Sequence, residues 1–157
     1  MDGEFLIEHD TGVVPAVGGG NFLILADSRA AAQAAAEVAV DAIRPLPNIA
    51  MPFPGGIVRS GSKVGSKYRK LVASTNDAYC PTLKGESPRS VLPAEVEAVL
   101  EIVIDGLTEA DVAQATAIGV RTACAFGRAA GVVAISAGNY GGQLGPYHFH
   151  LRKVLAS

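Results

Sequence analysis

The residue best suited to chemistry in this chain is a single glutamate inside an apolar run. Glu101 sits in Val99-Leu100-Glu101-Ile102-Val103-Ile104. On a strand, its side chain shares a face with Val99 and Val103, because side chains alternate. A carboxylate there is either solvated on a half-exposed face or partly buried. Burial raises its pKa and can hold it protonated near neutrality. A neutral carboxylic acid can donate a hydrogen bond to a developing oxyanion, or a proton to a leaving amine. On residue type and spacing alone, a surface glutamate on a half-exposed strand is the better-favoured reading. Glu97, nearer a loop, reads as surface.

A second feature is electrostatic. The stretch from Phe53 to Leu83 places Arg59, Lys63, Lys67, Arg69 and Lys70 close together with no acid between Arg59 and Lys70. Ser60, Ser62, Ser66, Gly61 and Gly65 are threaded among them, and Ser74-Thr75-Asn76-Asp77 follows. Small hydroxyls and glycines let a ligand approach the backbone. The chain as a whole has 13 Lys plus Arg against 15 Asp plus Glu, so this run is a local exception on a slightly acidic protein. It can receive a long anionic ligand. The bland alternative is a solvated loop of ordinary surface lysines. The spacing is not that of a nucleotide P-loop, which needs Gly, four residues, then Gly-Lys-Ser/Thr.

Other chemistry-bearing residues are less organised. His148 and His150 alternate on an expected last strand, but no Cys or acidic cluster lies near them in sequence, so surface histidines are expected and no metal site. Cys80 and Cys124 form neither a CxxC pair nor a metal quartet. Cys124 falls in a helical apolar pattern and is expected to be a buried small hydrophobe, and Cys80 to be inert. Asn139 and Tyr140, in Ala137-Gly138-Asn139-Tyr140-Gly141-Gly142, are a turn with a core aromatic or a substrate loop, with slight preference for the second. Covalent acyl-enzyme chemistry lacks its usual nucleophile elbow.

The bulk numbers set the frame. A chain of 157 residues is about one domain with a real core. Hydrophobic residues make up 49% and charged ones 18%, which is too apolar for disorder. A net charge of -2 argues against general nucleic-acid binding. No apolar run has the length of a membrane span, and the first residues carry acids rather than a basic leader, so a cytoplasmic location is expected.

These residues must be positioned by regular elements. Phe5–Glu8 reads as a short strand, Gly18–Gly20 as a hinge or tight approach, and Asn21–Ala26 as a better strand. Ser28 suits an N-cap for an Ala-rich helix to about Arg44, with Val38, Ala39 and Ile43 facing a sheet. Asn48–Met51 is a strand between prolines. Glu97–Ile104 is the strand that carries Glu101. Thr108 with Asp111 forms a capping-box signal, with Asp in place of the usual Glu, for a helix to about Phe126. Val132–Ser136 and Tyr147–Val154 read as further strands. FLILAD and EIVIDG each open a strand–helix–strand unit ending in a glycine pair, an internal echo. Two such units predict an α+β fold: a ferredoxin-like split βαβ (βαββαβ) sandwich, with an inserted basic loop/strand segment and extra terminal strands.

The segments FPGGIVRSGSKVGSKY, ASTNDAYCPT, EIVIDGL and ISAGNYGGQLG, in that order, resemble the formylmethanofuran:tetrahydromethanopterin formyltransferase family. GEFLIEHDTG and GGNFLILADS resemble it too. The similarity covers nearly the whole chain. The resemblance implies transfer of a formyl group from formylmethanofuran to N5 of tetrahydromethanopterin, with both carriers as substrates and no metal or prosthetic group. Both carriers bear carboxylates and the pterin a phosphate, which suits the basic run. The family's acid at the head of EIVI falls on Glu101 and is implied to stabilise the tetrahedral intermediate. Ser62, Lys63, Ser66, Lys67, Thr75, Asn76 and Asn139 lie in matching segments and are expected at the substrate cleft.

Family members resemble two similar lobes in one chain, and this sequence matches the C-terminal (proximal) lobe. A single domain over residues 1–157, without the first lobe, is the expectation. It implies a homo-oligomer or a partner first lobe, and no nucleic acid or membrane. A non-catalytic lobe, acting as a carrier-binding or assembly module in a larger complex, is the alternative.

Overall fold

The computed structural model describes residues 3–60, 76–138 and 146–156. Its elements, in chain order, are β1 (Val17–Ala26), α1 (Arg29–Ile43), β2 (Ile49–Ala50), β3 (Val58–Arg59), β4 (Ala98–Gly106), α2 (Glu109–Cys124), β5 (Val132–Ala137) and α3 (Leu151–Ala156). The strands form one antiparallel sheet in the order β2-β4-β1-β5, with β3 also paired to β4. The mixed helix and strand content read from the sequence is present, and α1 and α2 both pack against the β1–β4 centre.

The helices start where side chains can cap them. The Ser28 hydroxyl accepts from the Ala31 amide at 3.2 Å. The Thr108 hydroxyl accepts from the Asp111 amide at 3.2 Å, and Asp111 Oδ2 accepts from the Thr108 amide at 3.1 Å. The shorter Asp thus closes the reciprocal cap that the sequence signalled. Helix α1 buries Ala32, Ala35, Ala36, Ala39, Val40 and Ile43. A stripe of alanines lets its backbone lie close to the sheet. Val38, expected on that stripe, points to solvent instead, while Ala39 and Ile43 are buried as expected.

Each face of the sheet has its own apolar cluster. Phe22, Ile24, Ile102 and Ile104 face the helices and meet Val40, Ile43, Val112 and Val120. Their neighbours Leu23, Leu25 and Val99 point the other way and cluster with Val96, backed by Tyr79 and Leu92. Full burial of such side chains stabilises by about 1.5–3 kcal/mol each. The second cluster holds the segment 76–96 on the face away from the helices. That segment is also tied down by polar contacts. Asp77 accepts from Ser87 at 2.8 Å and pairs with Arg89 at 2.8 Å. The Lys84 ammonium donates to the carbonyls of Ala94 at 2.7 Å and Val96 at 3.0 Å.

Several expectations are corrected. Phe5–Glu8 is not a strand: Phe5 is 88% and Leu6 86% exposed, with no strand beside them among the described residues. The better strand starts earlier, at Val17, and passes through the glycines with a register shift between Val17 and Gly20. Gly20 is a tight approach, since a Cβ there would press on Val112 and sit 3.2 Å from the Ile104 carbonyl oxygen. Tyr147–Val154 is not a strand. Leu151, Val154 and Leu155 recur at helical spacing and form α3, whose Val154 is buried. Arg121 of α2 donates to the Leu155 carbonyl at 2.9 Å. Tyr147, Phe149 and Leu151 alternate as a strand would, but from Leu151 onward Leu, Arg, Lys and Ala favour the helix. His148 and His150 therefore share no strand face, and both are exposed. Cys124, at the last turn of α2, is exposed rather than buried, while Cys80 is buried. No described helix is long and apolar enough to cross a membrane.

Candidate active site

Glu101 is placed by the alternation of β4. Ile102 and Ile104 take the helix face, so Glu101, Val103 and Asp105 take the other. Its direct cross-strand partners are Val58 of β3 on one side and Leu23 of β1 on the other. Leu23 in turn lies opposite Ser136 of β5. Val58, Glu101, Leu23 and Ser136 thus form one row across four strands, on the face away from the helices.

Among the described residues the polar groups around this row are few and specific. Asn21 Nδ2 donates to Glu101 Oε1 at 2.5 Å. The Ser136 hydroxyl donates to the Tyr79 hydroxyl at 2.8 Å, linking β5 to the segment held on this face. Gly138 closes the site beyond β5: its amide donates to the Asn21 carbonyl at 3.4 Å. A Cβ on Gly138 would meet the Asn21 carboxamide and come within 2.9 Å of Glu101 Oε1. Burial pushes the Glu101 carboxyl above its ordinary value, and the Asn21 hydrogen bond opposes that shift in part. The cause is loss of water around the charged form, with Leu23 and Val58 as neighbours. The surface-glutamate reading of this residue is therefore replaced by a partly buried acid.

The expected substrate-binding residues divide into two sets. Asn76 is buried, and its carbonyl accepts from the Tyr79 amide at 3.2 Å. Ser62, Lys63, Ser66, Lys67, Thr75 and Asn139 lie outside the described residues. The residues that flank the basic run are anchored to the sheet. Ser60 is buried and its amide donates to the Val99 carbonyl at 3.1 Å, two positions from Glu101 on β4. At the other end, Asn76 leads into Tyr79, which is bonded to Ser136 in the row of Glu101. Arg59 stands apart. It lines a cavity of about 390 Å³ with Arg29, Gln33, Ile57 and Leu100 on the α1 side of the β4 edge, and Glu101 is not part of that cavity.

Asn21, Tyr79, Ser136 and Gly138 were not singled out by sequence reasoning as site residues. Asn21 read only as the start of a strand. Its relation to Glu101 depends on the β1–β4 register, which no local pattern states. Among the described residues no group of three or more His, Cys, Asp or Glu side chains is arranged to hold a metal ion.

What these features define is an α+β unit whose antiparallel sheet presents a partly buried glutamate carboxyl on the face opposite its helices. The family model described as "FTR, proximal lobe" matches residues 3–154. Formylmethanofuran–tetrahydromethanopterin formyltransferase of Methylococcus capsulatus is 62% identical over 156 residues, covering 99% of this chain and 52% of that protein. The formyltransferase/hydrolase complex from Methylorubrum extorquens, solved with methylofuran, contains a chain similar to this one with a TM-score of 0.79 at 54% identity. That match covers 89% of this chain and 45% of the other. The formylmethanofuran:tetrahydromethanopterin formyltransferase from Methanosarcina barkeri also gives a TM-score of 0.79, at 46% identity, over 90% of this chain and 47% of that one. This chain belongs to the formylmethanofuran–tetrahydromethanopterin formyltransferase family. It spans about half the length of the curated relatives it matches.

Proposed function

We propose that this chain supplies the proximal-lobe part of a formyl-transfer site, and that Glu101 is its acid. The observation that carries this reading is the partly buried Glu101 carboxyl, raised in pKa by burial, with the apolar Val58 and Leu23 as its direct cross-strand neighbours. In the proposed reaction, N5 of tetrahydromethanopterin attacks the formyl carbon of formylmethanofuran. A C–N bond forms and the carbonyl π pair moves to oxygen, giving a tetrahedral oxyanion. The protonated Glu101 carboxyl donates to that oxyanion, or passes its proton to the departing methanofuran nitrogen as the second C–N bond breaks. The proton released by N5 restores the carboxyl, or goes to the departing nitrogen where the carboxyl has kept its own, so the enzyme ends as it began. Holding the two carriers together supplies a further large share of the rate. The carriers are substrates, and the proposal needs no prosthetic group.

Ser62, Lys63, Ser66, Lys67, Thr75, Asn76 and Asn139 belong to this proposal as the carrier-binding wall. Supporting it, the residues on both sides of the basic run are anchored next to the row of Glu101. The strand order and the two strand–helix–strand units support a ferredoxin-like split βαβ topology for a single proximal-lobe domain.

A homo-oligomer or a partner first lobe completes the proposed site. The exposed Phe5, Leu6, Ile7, Val13 and Val14 support that, as an apolar set that a partner surface would cover. A cytoplasmic location is part of the same proposal.

The test is a formyl-transfer assay on this chain, alone and with the first lobe of a family member added. Transfer that needs both parts supports the reading. Carrier binding without transfer in the combined sample would favour a non-catalytic binding module.

A further inference from the structure

We propose that Asn21 is a positioning residue that fixes which oxygen of the Glu101 carboxyl carries the proton. This inference rests on Glu101 being the acid of the proposed reaction. The Asn21 amide nitrogen donates to Oε1 at 2.5 Å. An oxygen that accepts so close a donor is the carbonyl oxygen of a protonated carboxyl, because a hydroxyl there would set hydrogen against hydrogen. The acidic proton is thereby confined to Oε2. A carboxyl free to rotate would share its proton between two directions, only one of which faces a substrate.

The surroundings hold Asn21 in that pose. Its backbone lies in β1 opposite Val103, one diagonal step from Glu101. Its carbonyl accepts from Gly138, and the space where a Gly138 side chain would stand is filled by the Asn21 carboxamide and Glu101 Oε1. Among the described residues the buried Asn21 amide oxygen has no hydrogen-bond partner. Few other groups compete for the Glu101 proton among the described residues. Asp105 shares the face four positions along β4 and accepts from the Gly19 amide. Asp77 is engaged with Ser87 and Arg89, and the Tyr79 hydroxyl with Ser136. Arg59 on β3 lines the cavity on the α1 side.

The test replaces Asn21 by Leu, which keeps its size and removes the donor. Glu101 is then read directly, by carboxyl-carbon NMR titration and by the isotope-edited C=O stretch of the protonated acid, in the full chain. Loss of the donor is expected to raise the Glu101 pKa further and to shift the C=O stretch to higher frequency. In the reconstituted transfer assay kcat falls about 10- to 100-fold, by analogy with the loss of hydrogen-bond partners that orient metal ligands, with KM little changed. The alkaline limb of the pH profile moves upward. Asn21→Ser gives the same readouts if the Leu variant does not fold. An unaltered titration and stretch in a folded variant would overturn the proposal, whatever the activity. Full activity in Glu101→Gln would instead remove the catalytic reading and leave the Asn21–Glu101 link to be judged by the spectroscopy alone.

Discussion

Glu101 and Ser136 lie on either side of Leu23 in one cross-strand row. The acid and the Ser136–Tyr79 hydrogen bond are therefore held by the same three strands. The segment that follows the basic run is anchored to that row through Tyr79. Rigidity of the sheet sets the distance between the acid and whatever the segment binds. This arrangement suits a reaction whose catalysis depends on holding two carriers in register.

Stability should carry the signature of the shielded acid. Ionising Glu101 is harder in the folded chain than in the unfolded one, since its folded pKa is raised. The contribution of the protonated carboxyl is fully present below the unfolded value and is lost as pH rises through the folded one. Urea unfolding of the parent and of Glu101→Gln, compared at about pH 4 and about pH 8, is expected to show the parent losing stability relative to the variant at the higher pH. A gap that does not change with pH would place Glu101 in a solvated setting.

The approach of α2 to β1 is testable at Gly20. A Cβ there would press on the fully buried Val112 and the Ile104 carbonyl. Neither neighbour is the free end of a flexible side chain, so Gly20→Ala is expected to destabilise by about 1–3 kcal/mol, as overpacked cores do. Denaturant unfolding reads this directly, and a neutral result would mean that the strand shifts easily at its bulge.

How much of this was legible in the sequence follows from the range of each interaction. The Thr108–Asp111 cap, the Ser28 cap and the strand around Glu101 are local, and a few residues of pattern state them. The second apolar cluster also has a local trace, because Leu23, Leu25 and Val99 make β1 and β4 apolar on both faces. The Asn21–Glu101 bond has no such trace, since it joins positions 80 residues apart through strand register. The closing helix was misread because Tyr147, Phe149 and Leu151 alternate as on a strand while Leu151, Val154 and Leu155 recur at helical spacing, and only docking against α2 decides between them. Exposure of Cys124 is likewise a matter of which way the last turn of α2 faces.

The proposed carrier wall makes an electrostatic prediction. If Lys63 and Lys67 hold carboxylate or phosphate groups, Lys63→Ala and Lys67→Ala should weaken tetrahydromethanopterin binding and flatten its salt dependence. Titration calorimetry at low and high salt measures both. Binding that ignores salt and both substitutions would remove the basic run as the docking site.

The most direct measurement of the central claim is the rate of formyl transfer by Glu101→Gln in the two-lobed sample. Gln keeps the size and one hydrogen-bonding oxygen but has no acidic proton. The fold should be preserved, and kcat should fall by about 100- to 1,000-fold, the loss typical of removing one group that stabilises an oxyanion. Turnover equal to that of the parent, from a variant with unaltered unfolding, would contradict Glu101 as the acid.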